Sequence, residues 1–267
     1  MEMTTLFLPD YDEIKKYLSH ARLRPYEDIA ILSSELDIAL YNNIQLQSAF
    51  LFLPLQYLEV CLRNKINKAM CNFYYSISHK ITLPGLPKEW YLWMPSSENT
   101  IRNIHEAIKK AKREIRGRAM TSDDVISHLN FGIWRHILQE RADNKDPLHF
   151  WRGTVHKIFP NAPVKKDIIL QTLANITNVR NRLFHHEPLW RSHKHHNTIK
   201  NALKEIENKY TMIIQFIGWM SSPLKDYMGN YTLCFTTFLK VTNFLQYDFR
   251  EFIRDDPDLS FLLRDKH

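Results

Sequence analysis

Apolar residues recur along this chain at helical spacing almost throughout. In 10–28, Ile14, Tyr17 and Leu18 are expected to face inward, with Asp10 as cap and Arg22-Leu23-Arg24-Pro25 as the stop. From Glu27 to about Asn72 the positions Ile29, Leu32, Leu36, Ala39, Leu40 and Ile44 lead into a nearly unbroken apolar run, 49–62. One or two long helices fit, and Pro54 predicts a kink or a restart. Residues 73–98, rich in aromatics and proline, read as a packed irregular connection. Ser96 or Ser97 then opens a helix to about Arg116 that buries Ile101, Ile104, Ala107, Ile108, Ala111 and Ile115. Thr121 to Asp124 resembles a capping box with Asp in place of Glu or Gln. The helix it starts carries Val125 to Leu138, with Gly132 at a close helix contact. After a polar loop at 142–148, further helices are expected at 150–159, 165–187 and 197–220. Two more apolar stretches lie in 231–263.

Composition narrows this to an all-α protein. Six glycines in 267 residues argue against a turn-rich β architecture. Hydrophobic residues make up 44% of the chain, enough for a folded core. The formal charge of +7 favours polyanionic partners. Cys61, Cys71 and Cys234 lack metal-type spacing, and an odd, sparse count fits a reducing compartment. Met1 to Tyr11 has no signal pattern and no window is apolar enough to span a bilayer, so a cytoplasmic protein without membrane contact is expected.

The chemistry concentrates in Asn178-Val179-Arg180-Asn181-Arg182-Leu183-Phe184-His185-His186-Glu187-Pro188. Ile168, Ile169, Leu173, Ile176 and Val179 make it the end of an amphipathic helix, which Pro188 should stop near Glu187. Asn181 and His185 share a face, with Arg180 one step further round. His exchanges protons near neutral pH, Arg braces a phosphate, and Asn orients either. The same residue types also cap helix carbonyls and offset the negative end of the dipole. Spacing leaves both readings open.

Other polar positions carry paired readings too. Glu59 and Arg63, at i and i+4, form an intrahelical ion pair or, with Asn64, line a polar cleft shared with 180–186. Lys109, Lys110, Lys112 and Arg113, with Arg116 and Arg118, make a solvated charged face or a phosphate-backbone patch. His185, His186, His193, His195 and His196 invite a metal reading. They lack HExxH or cysteine partners and stand among basic residues, so no metal and no other cofactor is expected.

Several pieces occur in the order of a known family. Ala49-Phe50-Leu51 leads into Leu58-Glu59-Val60-Cys61-Leu62-Arg63-Asn64. Leu129-Asn130-Phe131-Gly132-Ile133-Trp134, Phe150-Trp151 and Ile158-Phe159-Pro160 follow. Val179 to Pro188 and Ile217-Gly218-Trp219-Met220-Ser221 complete the set, across about residues 10–225. In these the chain resembles the Abi-like (abortive infection) proteins of bacteria, members of the HEPN superfamily of helical domains. Pro54 departs from the helix formers usual there.

The resemblance implies an HEPN-type helical bundle with additional helices over 1–225; residues 226–267 lie beyond it and are expected to form a C-terminal helical extension packing on that domain. It implies an R-x4-6-H ribonuclease motif in which Arg180 is the arginine and Asn181 the polar residue after it. His185 meets the four-residue gap and His186 the five-residue gap. The implied activity is metal-independent endonucleolytic cutting of single-stranded RNA, by a homodimer acting as a phage-defence effector or toxin. The alternative is an inactive RNA-binding module. A noncoding RNA or an antitoxin is the further partner either reading implies.

Overall fold

The computed structural model describes residues 11–29, 34–78, 87–92, 97–139, 150–191 and 198–236. Among these, every regular element is helical, so the chain is all-α. The helices are α1 (Tyr11–Leu18), α2 (His20–Glu27), α3 (Ser34–Ala49), α4 (Phe52–Ser78), α5 (Glu98–Glu114), α6 (Ser122–His128), α7 (Phe131–Gln139), α8 (Phe150–Ile158), α9 (Lys166–Phe184), α10 (Ile199–Met220) and α11 (Ser222–Tyr227). A 3-10 turn occupies Pro87–Leu92. Asp10, the loop at 142–148, the histidines at 193–196 and the segment after 236 lie outside the described residues.

One compact unit comprises Met1–Phe52, Val179–Tyr210 and Met228–His267. The expected single helix at 10–28 is two helices, because Ser19 adopts φ 66° and breaks the path. Of the residues of α1 expected to face inward, Ile14 and Leu18 are half-buried and Tyr17 is 82% exposed. Pro25 does not stop α2. It lies inside the helix, where it forfeits only one backbone bond while it and Tyr26 are buried. Tyr26 anchors this core. Its ring meets Tyr41 edge-on at 5.0 Å and Trp190 at 5.9 Å, and its hydroxyl accepts a hydrogen bond from Gln45 Nε2 at 2.9 Å. Burial pushes its phenol up to about 12. Tyr210 stacks on Phe235 at 4.1 Å elsewhere in the unit.

The second unit comprises Leu53–Asn178 and Thr211–Tyr227. The chain restarts as α4 after Leu51, and Pro54 sits in its first turn, where an N–H has no helical acceptor anyway. The helix then absorbs Phe73, Tyr74 and Tyr75, expected in an irregular connection. Leu58, Leu62 and Ile66 keep the apolar stripe running with no exposed area, which carries the helix onward. Trp90 is fully buried and donates through Nε1 to Asn67 Oδ1 at 2.7 Å.

Ser97 caps α5, its side chain accepting from Thr100 N at 3.4 Å. Ile104, Ala107 and Ala111 are buried as expected, whereas Ile101 is 42% exposed. The capping box at Thr121 and Asp124 is present. The expected helix through Leu138 is divided at Leu129-Asn130. The Asn130 side chain accepts from Ile133 N at 3.1 Å and starts α7. A Cβ on Gly132 would stand 3.3 Å from that same Asn130 oxygen, so the glycine makes room for a cap rather than for another helix.

Candidate active site at the end of α9

The apolar stripe of α9 ends at Val179, and the polar run that follows has two kinds of work. The helix ends at Phe184, three residues before the proline-based expectation. His186 N donates to Leu183 O at 3.1 Å and Glu187 N to Arg182 O at 2.8 Å, while His186 adopts φ 56°. These are the two bonds and the left-handed residue of a Schellman cap, with histidine where glycine is commonest. Backbone geometry therefore stops the helix before Pro188 can.

The carbonyls just beyond this end gain one guanidinium, and a second ties the following loop to the helix. Arg22 Nη1 donates to His186 O and, at 3.5 Å, to His185 O. Arg182 donates to Arg191 O, and its Nε lies 3.4 Å from Glu187 Oε2, an ion pair between partly exposed groups. Cations here offset the negative end of the dipole. Sequence reasoning missed Arg22, because a contact spanning 163 residues leaves no local signal.

What remains uncommitted is Arg180, Asn181 and His185. The Arg180 guanidinium carbon lies 4.6 Å from the centroid of the Phe184 ring, a cation–π contact. Its Nη1 reaches Asn181 Oδ1 at 3.4 Å, a long and weak bond. Its Nε is buried with no acceptor among the described residues. Asn181 and His185 are exposed, joined by the bond from His185 N to Asn181 O at 3.0 Å. Among the described residues the His185 imidazole has no hydrogen-bond or ion-pair partner. The last turn of α9 thus presents a held guanidinium with unused donors, an amide and an accessible imidazole on one surface. A phosphodiester is the kind of group these could brace and protonate.

Glu59, Arg63 and Asn64 stand on α4 in the second unit. Glu59 and Arg63 are half-buried, Asn64 is exposed, and Glu59 and Arg63 form no ion pair with each other. The expected i, i+4 pair is therefore absent. On α5, also in the second unit, Lys109, Lys110, Lys112 and Arg113 are all exposed. Lys109 and Lys112 line a recess of about 260 Å³ with His105 and Ile108. Arg118 is committed elsewhere, donating through Nη1 and Nη2 to the Asp124 carboxylate at 2.7 and 2.6 Å. That pairing, with two bonds from Thr121, holds Asp124 well below the usual carboxylate range.

Among the described residues no group of three His, Cys, Asp or Glu is placed to hold a metal, and no helix is long and apolar enough to cross a membrane. Comparisons with protein-family models, with curated proteins and with solved structures find no match.

Proposed function

We propose that the chain is a metal-independent endoribonuclease of the HEPN type, a homodimeric abortive-infection effector or toxin that cuts single-stranded RNA. The ordered motifs of the sequence support the family reading. The observation that carries the chemistry is the division at the end of α9. Backbone bonds from His186 and Glu187, with Arg22 at the carbonyls beyond them, satisfy the helix terminus, which leaves Arg180, Asn181 and His185 exposed or underused.

In this reading His185 takes the proton from a ribose 2′-hydroxyl. The 2′-oxygen attacks the adjacent phosphorus, the bond to the 5′-oxygen breaks, and that oxygen leaves with a proton. Arg180 braces the charge that builds on the phosphate, and Asn181 orients it. The products are a 2′,3′-cyclic phosphate and a 5′-hydroxyl, and DNA is excluded because it lacks the nucleophile. A second copy supplies a second motif to the same scissile phosphate. His185→Ala and Arg180→Ala should each abolish cutting of unstructured RNA by the purified chain in EDTA, with unfolding unchanged. Equal cutting by the double variant and the parent refutes the assignment.

A second reading, RNA binding without cutting, is favoured by the face of α5. Lys109, Lys110, Lys112, Arg113 and Arg116 are all exposed, and none makes an ion pair among the described residues. Such a face suits a phosphate backbone, with a noncoding RNA as the occupant. Binding that survives His185→Ala and is lost on neutralising Lys109, Lys110, Lys112 and Arg113, with no cleavage by the parent chain, would select it.

A further inference from the structure

Two phenylalanine rings lie in water beside the candidate site. Phe184 is 45% exposed and Phe52 is 42% exposed, and their centroids stand 5.6 Å apart with planes at 46°. Both belong to the same compact unit as Arg22, Arg180 and His185. Leaving about half of each phenylalanine side chain in water forgoes the burial that normally stabilises such residues. The Phe184 ring also holds the Arg180 guanidinium, 4.6 Å from its centroid. Flat apolar surface and a guanidinium with a free donor therefore adjoin each other, one helical turn apart on α9.

We propose that Phe52 and Phe184 are a base-stacking platform for single-stranded RNA, placed so that the phosphate next to the stacked base reaches Arg180. The inference rests on the nuclease reading and names its substrate contact. A nucleotide has both parts that this surface offers to bind: a π-face for the rings and a phosphate for the guanidinium. A paired, stacked duplex presents no free base face, so the platform selects single strands. A second copy of the chain is a poorer occupant. The surroundings of the two rings are exposed Asn181, His185 and His186, with three guanidiniums (Arg22, Arg180 and Arg182) and one carboxylate (Glu187). That balance suits a polyanion.

The test uses the full chain carrying His185→Ala, so that bound RNA is not cut. Affinity for a fluorescein-labelled oligoadenylate is read by anisotropy, beside an abasic analogue and a duplex of equal length. Phe184→Leu and Phe52→Leu keep apolar bulk but remove the π-face. Each should weaken single-strand binding about 5- to 100-fold, following the stacking energy per base, while duplex affinity stays within about twofold. Phe184→Trp should restore it, which a variant that merely unfolds cannot do. The abasic analogue should bind the unsubstituted platform as weakly as the normal oligonucleotide binds Phe184→Leu. Unchanged single-strand affinity in both leucine variants overturns the platform. So does conversion of a dimer to a monomer by Phe52→Leu with RNA affinity intact, because the rings would then be covered by a second copy. The two ideas fail separately. Stacking without any cutting by the parent chain removes the nuclease and keeps the platform, and normal cutting with indifferent leucine variants does the reverse.

Discussion

His186 gives the sharpest test of how the end of α9 is built. Its φ of 56° places an L side chain in the left-handed region, and only its backbone is used there, N–H to Leu183 O and carbonyl to Arg22. Left-handed geometry costs an ordinary residue about 1–2 kcal/mol, and histidine sits at the low end of that range. Glycine removes this cost but loses about 0.5–1 kcal/mol more in chain entropy on folding. His186→Gly should therefore be stabilising by about 0.5 kcal/mol, a rise of roughly 1–2 °C in Tm for a chain of this size. His186→Val puts a β-branched residue where it fits worst and should cost at least 1 kcal/mol. Urea midpoints followed by far-ultraviolet circular dichroism and by tryptophan fluorescence measure both. RNA cutting by His186→Gly should equal that of the parent chain, whereas His185→Ala should be inactive. A glycine variant as destabilised as the valine variant would refute the cap, and one that folds but no longer cuts would make His186 the reacting imidazole.

Three other outcomes follow from the structure. Tyr26 has its phenol pushed up to about 12 from 10.0, so the folded state keeps a proton that the unfolded chain loses. Its contribution is complete below pH 10 and is lost as pH rises toward 12; Tyr26→Phe should flatten that part of the urea-midpoint profile while losing about 1 kcal/mol at pH 7 with the Gln45 bond. Asp124 is held low by Arg118 and Thr121, so its contribution is present above the ordinary carboxylate range and fades as pH falls below about 4. The gap in urea midpoint between the parent chain and Asp124→Asn should close over that acid limb, and a gap that persists at low pH would mean that ionisation is not what matters. If α5 contacts an RNA backbone, replacing Lys109, Lys110, Lys112 and Arg113 by glutamate should reduce the slope of log affinity against log salt by up to about 3, and an unchanged slope removes the face from the interface.

Helices built on long apolar stripes were legible in the sequence. The register of α10 carried Leu203, Ile206, Tyr210, Ile213 and Phe216 to full or nearly full burial, as their spacing predicts. Local capping chemistry was legible too, in Ser97 and in the Thr121–Asp124 box. Errors fell where backbone geometry overrides pattern. Ser19 and His186 take positive φ without being glycine, and neither break shows in hydrophobic period. Pro25 and Pro54 sat inside helices because only one backbone bond is at stake, or none in a first turn. Exposed apolar residues were the other blind spot. Periodicity assigns Tyr17 and Ile101 to a buried face, but it cannot report which part of that face has a neighbour.

The polar run at 178–188 presented two readings, a helix cap and an acid–base site, as if one had to exclude the other. The structure shows how the capping is done. Capping falls to Arg22 and to the backbone of His186 and Glu187. The Arg180 guanidinium, seated on Phe184 rather than on a carbonyl, has no part in it. An arginine needed only to offset the dipole would gain most by turning to the free carbonyls beyond it, as Arg22 does from 163 residues away. The Arg180 Nε, like that of Arg182, is buried with no hydrogen-bond partner among the described residues. In the proposed reading a phosphate oxygen would meet the outer nitrogens of Arg180, with His185 and the exposed ring of Phe184 beside it. The residues that capping does not need are therefore those that cleavage and base stacking would use.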